Sequence, residues 1–402
     1  MPYTMGFAPS ESGWFWLIAN GGPSHTLGGC NACRDTGSMS AARKRFPAPL
    51  WSALVPVFTL AAGVASLVFW SGPVPGLLVP FAAVLLFATV LAAVHHAETI
   101  AHRLGDPYGA IVLALAVTII EVALIVSVLL AAPAGTSEIA RDTVFAAIMI
   151  VLNGIVGLCL LVGGLRFREQ EFVARGSVGA LAVLATVAVL ALVLPNYTVA
   201  VPGPVYATPQ LVFVAFVSFA LYGLFLFVQT VRHRGDFSDP RLQELADRKP
   251  GRREMATALV LLPIALLAVV LLAETLAPTV EHAVARAGLP AALVGVVIAM
   301  TVLLPEATAA LRAARANRLQ TSLNLALGSA LASICLTIPA VALLSIVLGQ
   351  PLILGLEAEH IVLLLLSLFV ATLSLAMGRT TILQGGLHLV IFGAFLTIAA
   401  IP

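Results

Sequence analysis

Along most of this chain, apolar residues run almost unbroken for about 20 positions at a time, then give way to short polar links. Eleven such runs stand out, at approximately 51–70, 77–95, 108–131, 143–165, 178–194, 210–231, 255–276, 290–311, 322–348, 358–376 and 381–401. That length is what an α-helix needs to cross the hydrocarbon core of a bilayer. The pattern predicts an all-α integral membrane protein with about 11 transmembrane helices. Pro and Gly mark several turns, as in SGPVPG and PNYTVAVPGPVYATPQ. Residues 1–46 break the pattern: they are rich in Gly, Ser and Asn, with one short apolar run, WFWLIA. That run is too short for a signal peptide and lacks a basic flank before it. The segment reads as a variable, disordered tail. Met39 opens MSAARKRFPAPLW, a natural cytoplasmic start, so residues 1–38 are expected to be a tail or an over-extended gene start.

Composition supports the membrane reading. The chain has 402 residues, 60% apolar and 10% charged, whereas soluble domains carry about a quarter charged residues. A formal charge of +2, with no basic face studded by aromatics, gives nucleic acid nothing to bind. Of four cysteines, Cys159 and Cys335 lie in apolar runs and read as packing residues. Cys30 and Cys33 form a lone CxxC in the tail, which is weak as a metal or redox site. Neither HExxH nor GxSxG occurs, which argues against an intramembrane enzyme.

Orientation follows from the basic residues. With the N-terminus cytoplasmic, 19 of the 21 Lys and Arg fall inside; Arg141 and Arg286 fall outside. An odd number of spans then leaves Pro402 external. The longest link, 232–254, is cytoplasmic, mixed in charge, and reads as a solvated linker. It separates residues 47–231 from residues 255–402.

Within each half a spacing recurs. Glu98-x4-Arg103-x-Gly105-x-Pro107 precedes the run carrying Glu121, and Glu281-x4-Arg286-x-Gly288-x-Pro290 precedes the run carrying Glu306. The run after each acid also matches: VLNGIVGLCLL aligns with LGSALASICLT, placing Cys159 on Cys335 and Gly157 on Ser333. The first motif spans 98–165 and the second 281–348. Because the two copies cross the membrane in opposite senses, the chain reads as one N-terminal helix followed by two inverted five-helix repeats. In many secondary transporters such repeats hold an ion site between them, near the midplane.

An acid at the bilayer centre costs about 3 kcal/mol even on lenient insertion scales, so Glu121 and Glu306 need a partner, ligand or proton. Pro305 sharpens the second site, because proline removes a helix hydrogen bond and frees a carbonyl one turn earlier. Carboxylates beside freed carbonyls are hard oxygen ligands of the kind calcium takes. Thr118 lies three residues before Glu121 on the same helical face, Thr301 lies near the matching place before Glu306, and Asn153, Asn324, Ser329 and Ser333 could complete a shell of oxygens. Each of these polar residues also reads as interhelical glue. His95, His96 and Glu98 end the second run, where they could gather cations or protons at the cytoplasmic mouth or sense pH, or simply solvate a helix end. His388 reads as a packing residue, and Glu274 and Glu281 as an acidic rim or vestibule.

Three long stretches, HHAETIAHRLGDPYGAIVLALAVTIIEVALI, RDTVFAAIMIVLNGIVGLCLLVGGLR and LVGVVIAMTVLLPEATAALRAARANRLQTSLNLALGSALASI, resemble the cation/calcium exchanger superfamily, specifically its bacterial ChaA-type calcium/proton antiporters. The resemblance covers roughly residues 50–401. It implies ten core helices in two inverted halves plus an extra N-terminal helix, with Glu121 and Glu306 as the paired cation- and proton-binding acids. Neither repeat carries the Gly-Ser-Asn typical of sodium/calcium exchangers, which favours protons as the counter-ion. The expectation is a Ca2+/H+ antiporter of the bacterial inner (plasma) membrane, with Na+ or K+ as alternative loads. Its partners are the lipid bilayer and inorganic cations, and a homo-oligomer is compatible with the sequence. No cofactor is expected beyond the transported ions. A Na+(K+)/H+ antiporter of the same fold and a cation channel stay open as alternatives.

Overall fold

The computed structural model describes residues 50–69, 78–104, 112, 115, 116, 118, 119, 121–123, 138–237, 250–288, 290 and 292–401. The tail with Cys30, Cys33 and Met39, the pair Gly105 and Pro107, and most of the 232–254 linker lie outside the described residues. So do the side chains of Glu274, Glu281, Thr301 and Pro305.

Ten helices can be bounded, and each coincides with an apolar run. They are α1 (Leu50–Phe69), α2 (Val79–Leu104) and α3 (Ile139–Met149, continuing through Ile150–Ile155 and Val156–Phe167). Next come α4 (Ala174–Ala188, extended to Tyr197), α5 (Thr208–Phe227, extended to Arg232) and α6 (Arg252–Arg286). The last four are α7 (Ala292–Arg315), α8 (Leu319–Leu348), α9 (Ala358–Ala376) and α10 (Ile382–Ala400). The described positions from 112 to 123, between α2 and α3, are helical and carry Glu121. Among the described residues eight helices are long and apolar enough to cross a membrane, and nine when the two halves of α7 count as one span. The halves, Gly295–Leu304 and Glu306–Arg315, meet at a 51° bend. Pro305 stands at that bend and has no N–H to give the carbonyl one turn earlier, so the backbone breaks where sequence chemistry requires it. At 35 residues α6 outruns the apolar segment 255–276, continuing through Glu281 to Arg286.

The packing has the two-fold character of inverted repeats. The most enclosed helix is α3, 83% buried along its most apolar stretch; its repeat mate α8 comes next at 56%. Helix α3 lies along α10, and α8 lies along α5. These are equivalent pairings with the halves exchanged, and α2 packs against α6 and α4 against α9, each on its own counterpart. The loops repeat the exchange. Strand β1 (Gln170–Glu171), after α3, pairs antiparallel with β2 (Arg379–Thr380), before α10. On the other side Val205, before α5, bridges Ile353, after α8. Each half thus clips a loop of the other at both ends.

Packing of α3 on α10 depends on small residues. Gly157 approaches His388 and Gly385, and Gly164 approaches Thr381 and Ile382. A Cβ at Gly385 would meet the Leu161 Cα at 2.6 Å and the Gly157 carbonyl at 2.9 Å, backbone atoms that cannot step aside. Large side chains such as Phe213, Phe216 and Phe219 on α5 face outward, as a lipid-facing surface requires. The expected outcome is that Gly385→Ala destabilises the protein by about 1–3 kcal/mol through overpacking. Gly386→Ala, where a Cβ meets nothing within 4 Å, should be neutral. Thermal unfolding of the two purified variants in detergent checks this, and equal stability would refute the close-approach argument.

Candidate functional site

The two acids singled out by the sequence are both buried inside the bundle. Glu121 is 2% exposed and Glu306 is 3% exposed, and the two are near enough for their charges to interact. Their environments differ. Ser333 of α8 donates its hydroxyl to Glu121 Oε1 at 2.6 Å. Neither carboxylate oxygen of Glu306 has a hydrogen-bond partner among the described residues. Buried carboxylates in proteins are normally satisfied, so Glu306 carries a burial cost that no described residue offsets. It sits directly after the Pro305 bend, beside the backbone that the proline leaves unbonded.

Helix α8 presents more than Ser333 to the interior. Ser322, Ser329, Ser333 and Thr337 are all buried, and their spacing puts them along one face of the helix. Ser322 lies against Cys159 of α3, Ser333 holds Glu121, and Thr337 Oγ1 has no partner among the described residues. Ser329 and Ser333 are members of the expected shell. Ser322 and Thr337 are additions that the spacing of hydroxyls in an apolar run could have flagged.

The other expected residues separate. Thr118 is buried one turn before Glu121 and has interactions of its own. Asn153 turns the other way: its amide donates to Ser367 Oγ at 2.8 Å, and its Oδ1 meets His388 Nδ1 at 3.0 Å. Asn324 points to the cytoplasmic end expected from the charge count, donating to the Phe237 carbonyl at 2.6 Å and accepting from Gln320 at 2.8 Å. His96 is buried, with Nε2 2.9 Å from the Ser52 carbonyl of α1. His95 packs on the Trp51 ring, 6.1 Å between centroids, and Glu98 is half-buried with a partner. His95 and His96 thus hold α1 to the end of α2.

Reading Gly157 as the equivalent of Ser333 does not carry over to structure. Ser333 faces Glu121, whereas the open side of Gly157 faces His388 and Gly385 of α10. The cause lies in the turn just before Gly157. Residues Ile150–Ile155 form a π turn, which takes one more residue than an α turn, while α8 is a continuous α-helix. His388, expected only to pack, is fully buried and bridges three helices through Asn153 of α3 and Ser374 of α9, the latter at 3.2 Å. Asn153 gives its amide hydrogens to Ser367, so Nδ1 of the imidazole donates to Oδ1 and Nε2 accepts from Ser374. Ser367 and Ser374, seven residues apart on one face of α9, were legible only as isolated polar positions in an apolar run.

The profile of the family described as "Sodium/calcium exchanger protein" matches residues 56–231 and 257–401, nearly all of both halves. The chain belongs to the sodium/calcium exchanger family. Within it, the protein is 51% identical over 356 residues to y4hA of Sinorhizobium fredii (strain NBRC 101917 / NGR234), a match covering 88% of this chain and 97% of that protein. It is 35% identical over 316 residues to the sodium-potassium/proton antiporter ChaA of Escherichia coli (strain K12), covering 77% of this chain and 85% of that one. Among solved structures, native YfkE aligns with a TM-score of 0.64 at 17% identity, covering 87% of this chain and 100% of that chain. The H+/Ca2+ exchanger CAX aligns with the same TM-score at 16% identity, covering 87% and 88%. At those identities the structural matches establish the exchanger fold alone, in agreement with the inverted halves described above.

Proposed function

We propose that this member of the sodium/calcium exchanger family is a secondary cation/proton antiporter that exports Ca2+ from the cytoplasm in exchange for H+, using Glu121 and Glu306 as its shared load-bearing pair. The observation that carries this reading is the pairing itself: one buried acid from each half, with Glu306 unpartnered at a helix break. Two neighbouring carboxylates in a dry interior are costly when both are bare and charged. One divalent cation, or protons on the acids, largely neutralises them. Both loaded forms can then cross between inward- and outward-facing arrangements, while the empty form is held back by its desolvation cost. Ca2+ departs when protons replace it, and an inward proton gradient drives Ca2+ outward. The oxygens available, from two carboxylates, the Ser333 hydroxyl and backbone freed by Pro305, are the hard donors calcium takes. Nothing in this chemistry makes or breaks a covalent bond, so the protein is read as a transporter and not an enzyme.

A second reading, Na+ or K+ as the main load, is favoured by the 35% identity to the Escherichia coli sodium-potassium/proton antiporter. A monovalent ion on one ionised acid, with the other protonated, would satisfy the same electrostatic rule. Vesicles containing the purified protein, given an imposed proton gradient and Ca2+, Na+ and K+ in turn, separate the two. Glu121→Gln and Glu306→Gln should each reduce proton-driven Ca2+ movement to background while leaving thermal stability near wild type, because glutamine mimics the protonated acid. Wild-type Ca2+ transport by either variant would refute the paired-carboxylate mechanism. Transport of Na+ or K+ without Ca2+ would select the second reading.

The topology belongs to the same proposal: the linker from Arg232 to Arg253 is cytoplasmic and the C-terminus is external, in the bacterial inner membrane. An alkaline phosphatase domain fused after Pro402 should be active, and a fluorescent protein that folds only in the cytoplasm should stay dark there. The reverse pattern would overturn the orientation.

A further inference from the structure

Away from the paired acids, at the end of the molecule where α3 and α9 begin, a second group of ionisable side chains gathers. Arg141, 4% exposed, occupies its centre. Its guanidinium holds Asp142 at 2.7 Å, reaches Glu138 at 3.5 Å and Glu357 at 3.9 Å, and donates to the Gly355 carbonyl at 3.2 Å. Four carboxylates, those of Glu138, Asp142, Glu357 and Glu359, thus share this end with one guanidinium, and the contact with Glu357 is at the limit of an ion pair. A carboxylate oxygen of Glu357 and one of Glu359 lie within 4.8 Å of each other, so the two charges repel unless a cation stands between them.

His360 supplies the observation that points to a ligand. It is 8% exposed, its ring lies against Phe145 with centroids 4.8 Å apart, and its buried Nδ1 has no hydrogen-bond partner among the described residues. A buried imidazole normally has its nitrogens engaged, and its second common use is metal ligation. A ring nitrogen of His360 and a carboxylate oxygen from each of Glu357 and Glu359 lie within 4.8 Å of one another. Both glutamates are exposed, so the group opens to solvent while the buried His360 ring packs against Phe145.

We propose that Glu357, Glu359 and His360 form a second cation site, separate from the transport pair and selective for a borderline divalent transition metal of the zinc class. The donor set decides the selectivity. One imidazole and two carboxylates suit Zn2+ and its neighbours, whereas Ca2+ and Mg2+ take oxygen-only shells. The bound ion would offset the repulsion between the two glutamates and draw Glu357 from its loose contact with Arg141. Water fills the remaining coordination position, as an open three-ligand site allows. In the orientation proposed above this site faces outward, so it would sense external metal rather than the exported cation.

The test uses the full-length protein in detergent carrying Glu121→Gln and Glu306→Gln, which removes the transport pair, and Cys30→Ser and Cys33→Ser, which removes the tail thiols. Zn2+ alone is titrated by calorimetry, with Ca2+ as competitor. One Zn2+ should bind and excess Ca2+ should not displace it. His360→Ala should weaken binding by roughly tenfold or more. Because His360 is buried, Glu359→Gln serves as the second variant; its exposed side chain can change without disturbing packing, and it should weaken Zn2+ in the same direction. X-ray absorption of the bound metal should show imidazole in the shell. Absence of Zn2+ binding, wild-type affinity in both variants, or an all-oxygen shell would each overturn the site.

Discussion

Placing a carboxylate at the centre of a bilayer costs on the order of 3 kcal/mol, and this protein buries two, Glu121 and Glu306, in each other's field among apolar helices. The surrounding structure distributes that cost unequally. Glu121 has the Ser333 hydroxyl, so one acid is partly compensated by the protein itself. Glu306 has no such partner and stands at the break made by Pro305. An unequal pair has a physical consequence: the partnered acid is held in place, while nothing among the described residues offsets the burial of the other.

Exchange also requires that the site be reached from alternate sides, and the packing supplies a frame for this. Helices α3 and α8 form the enclosed centre, each lying along a helix of the opposite half. The close approach at Gly157, Gly164 and Gly385 fixes α3 to α10, and the β1–β2 clip and the Val205–Ile353 bridge secure the halves at opposite ends. The buried chain from Ser367 through Asn153 and His388 to Ser374 adds a polar seam across α3, α9 and α10. Fully satisfied networks of this sort specify one arrangement of helices because every alternative leaves a polar group unpaired. The 51° break lies in α7, which packs on both α3 and α8.

Much of the architecture was readable before any coordinates. Apolar runs of bilayer length located the helices, and two acids inside such runs stood out because a charge in hydrocarbon has few innocent explanations; the structure buries both. Pro305 announced its own bend. What could not be read was the direction of each uncharged polar side chain. Asn153 and Asn324 look alike in sequence, yet one completes a seam with His388 and the other holds the Phe237 carbonyl, 87 residues away in the chain. Their partners come from distant segments, and no local period encodes those contacts. The π turn at Ile150–Ile155 is equally silent in sequence, and it upset the alignment of Gly157 with Ser333. Thr301 lies outside the described side chains, so its place in the shell rests on the sequence alone.

The central claim is that one pair of acids carries either a cation or protons, and never goes bare. It is tested most directly by following proton release as Ca2+ is added to the purified protein in weakly buffered detergent near neutral pH. Wild-type protein should release protons in step with Ca2+ binding, and the Glu121→Gln/Glu306→Gln double variant should neither bind Ca2+ nor release protons. Saturable Ca2+ binding to the wild type with no proton release at any pH around neutrality would contradict the account.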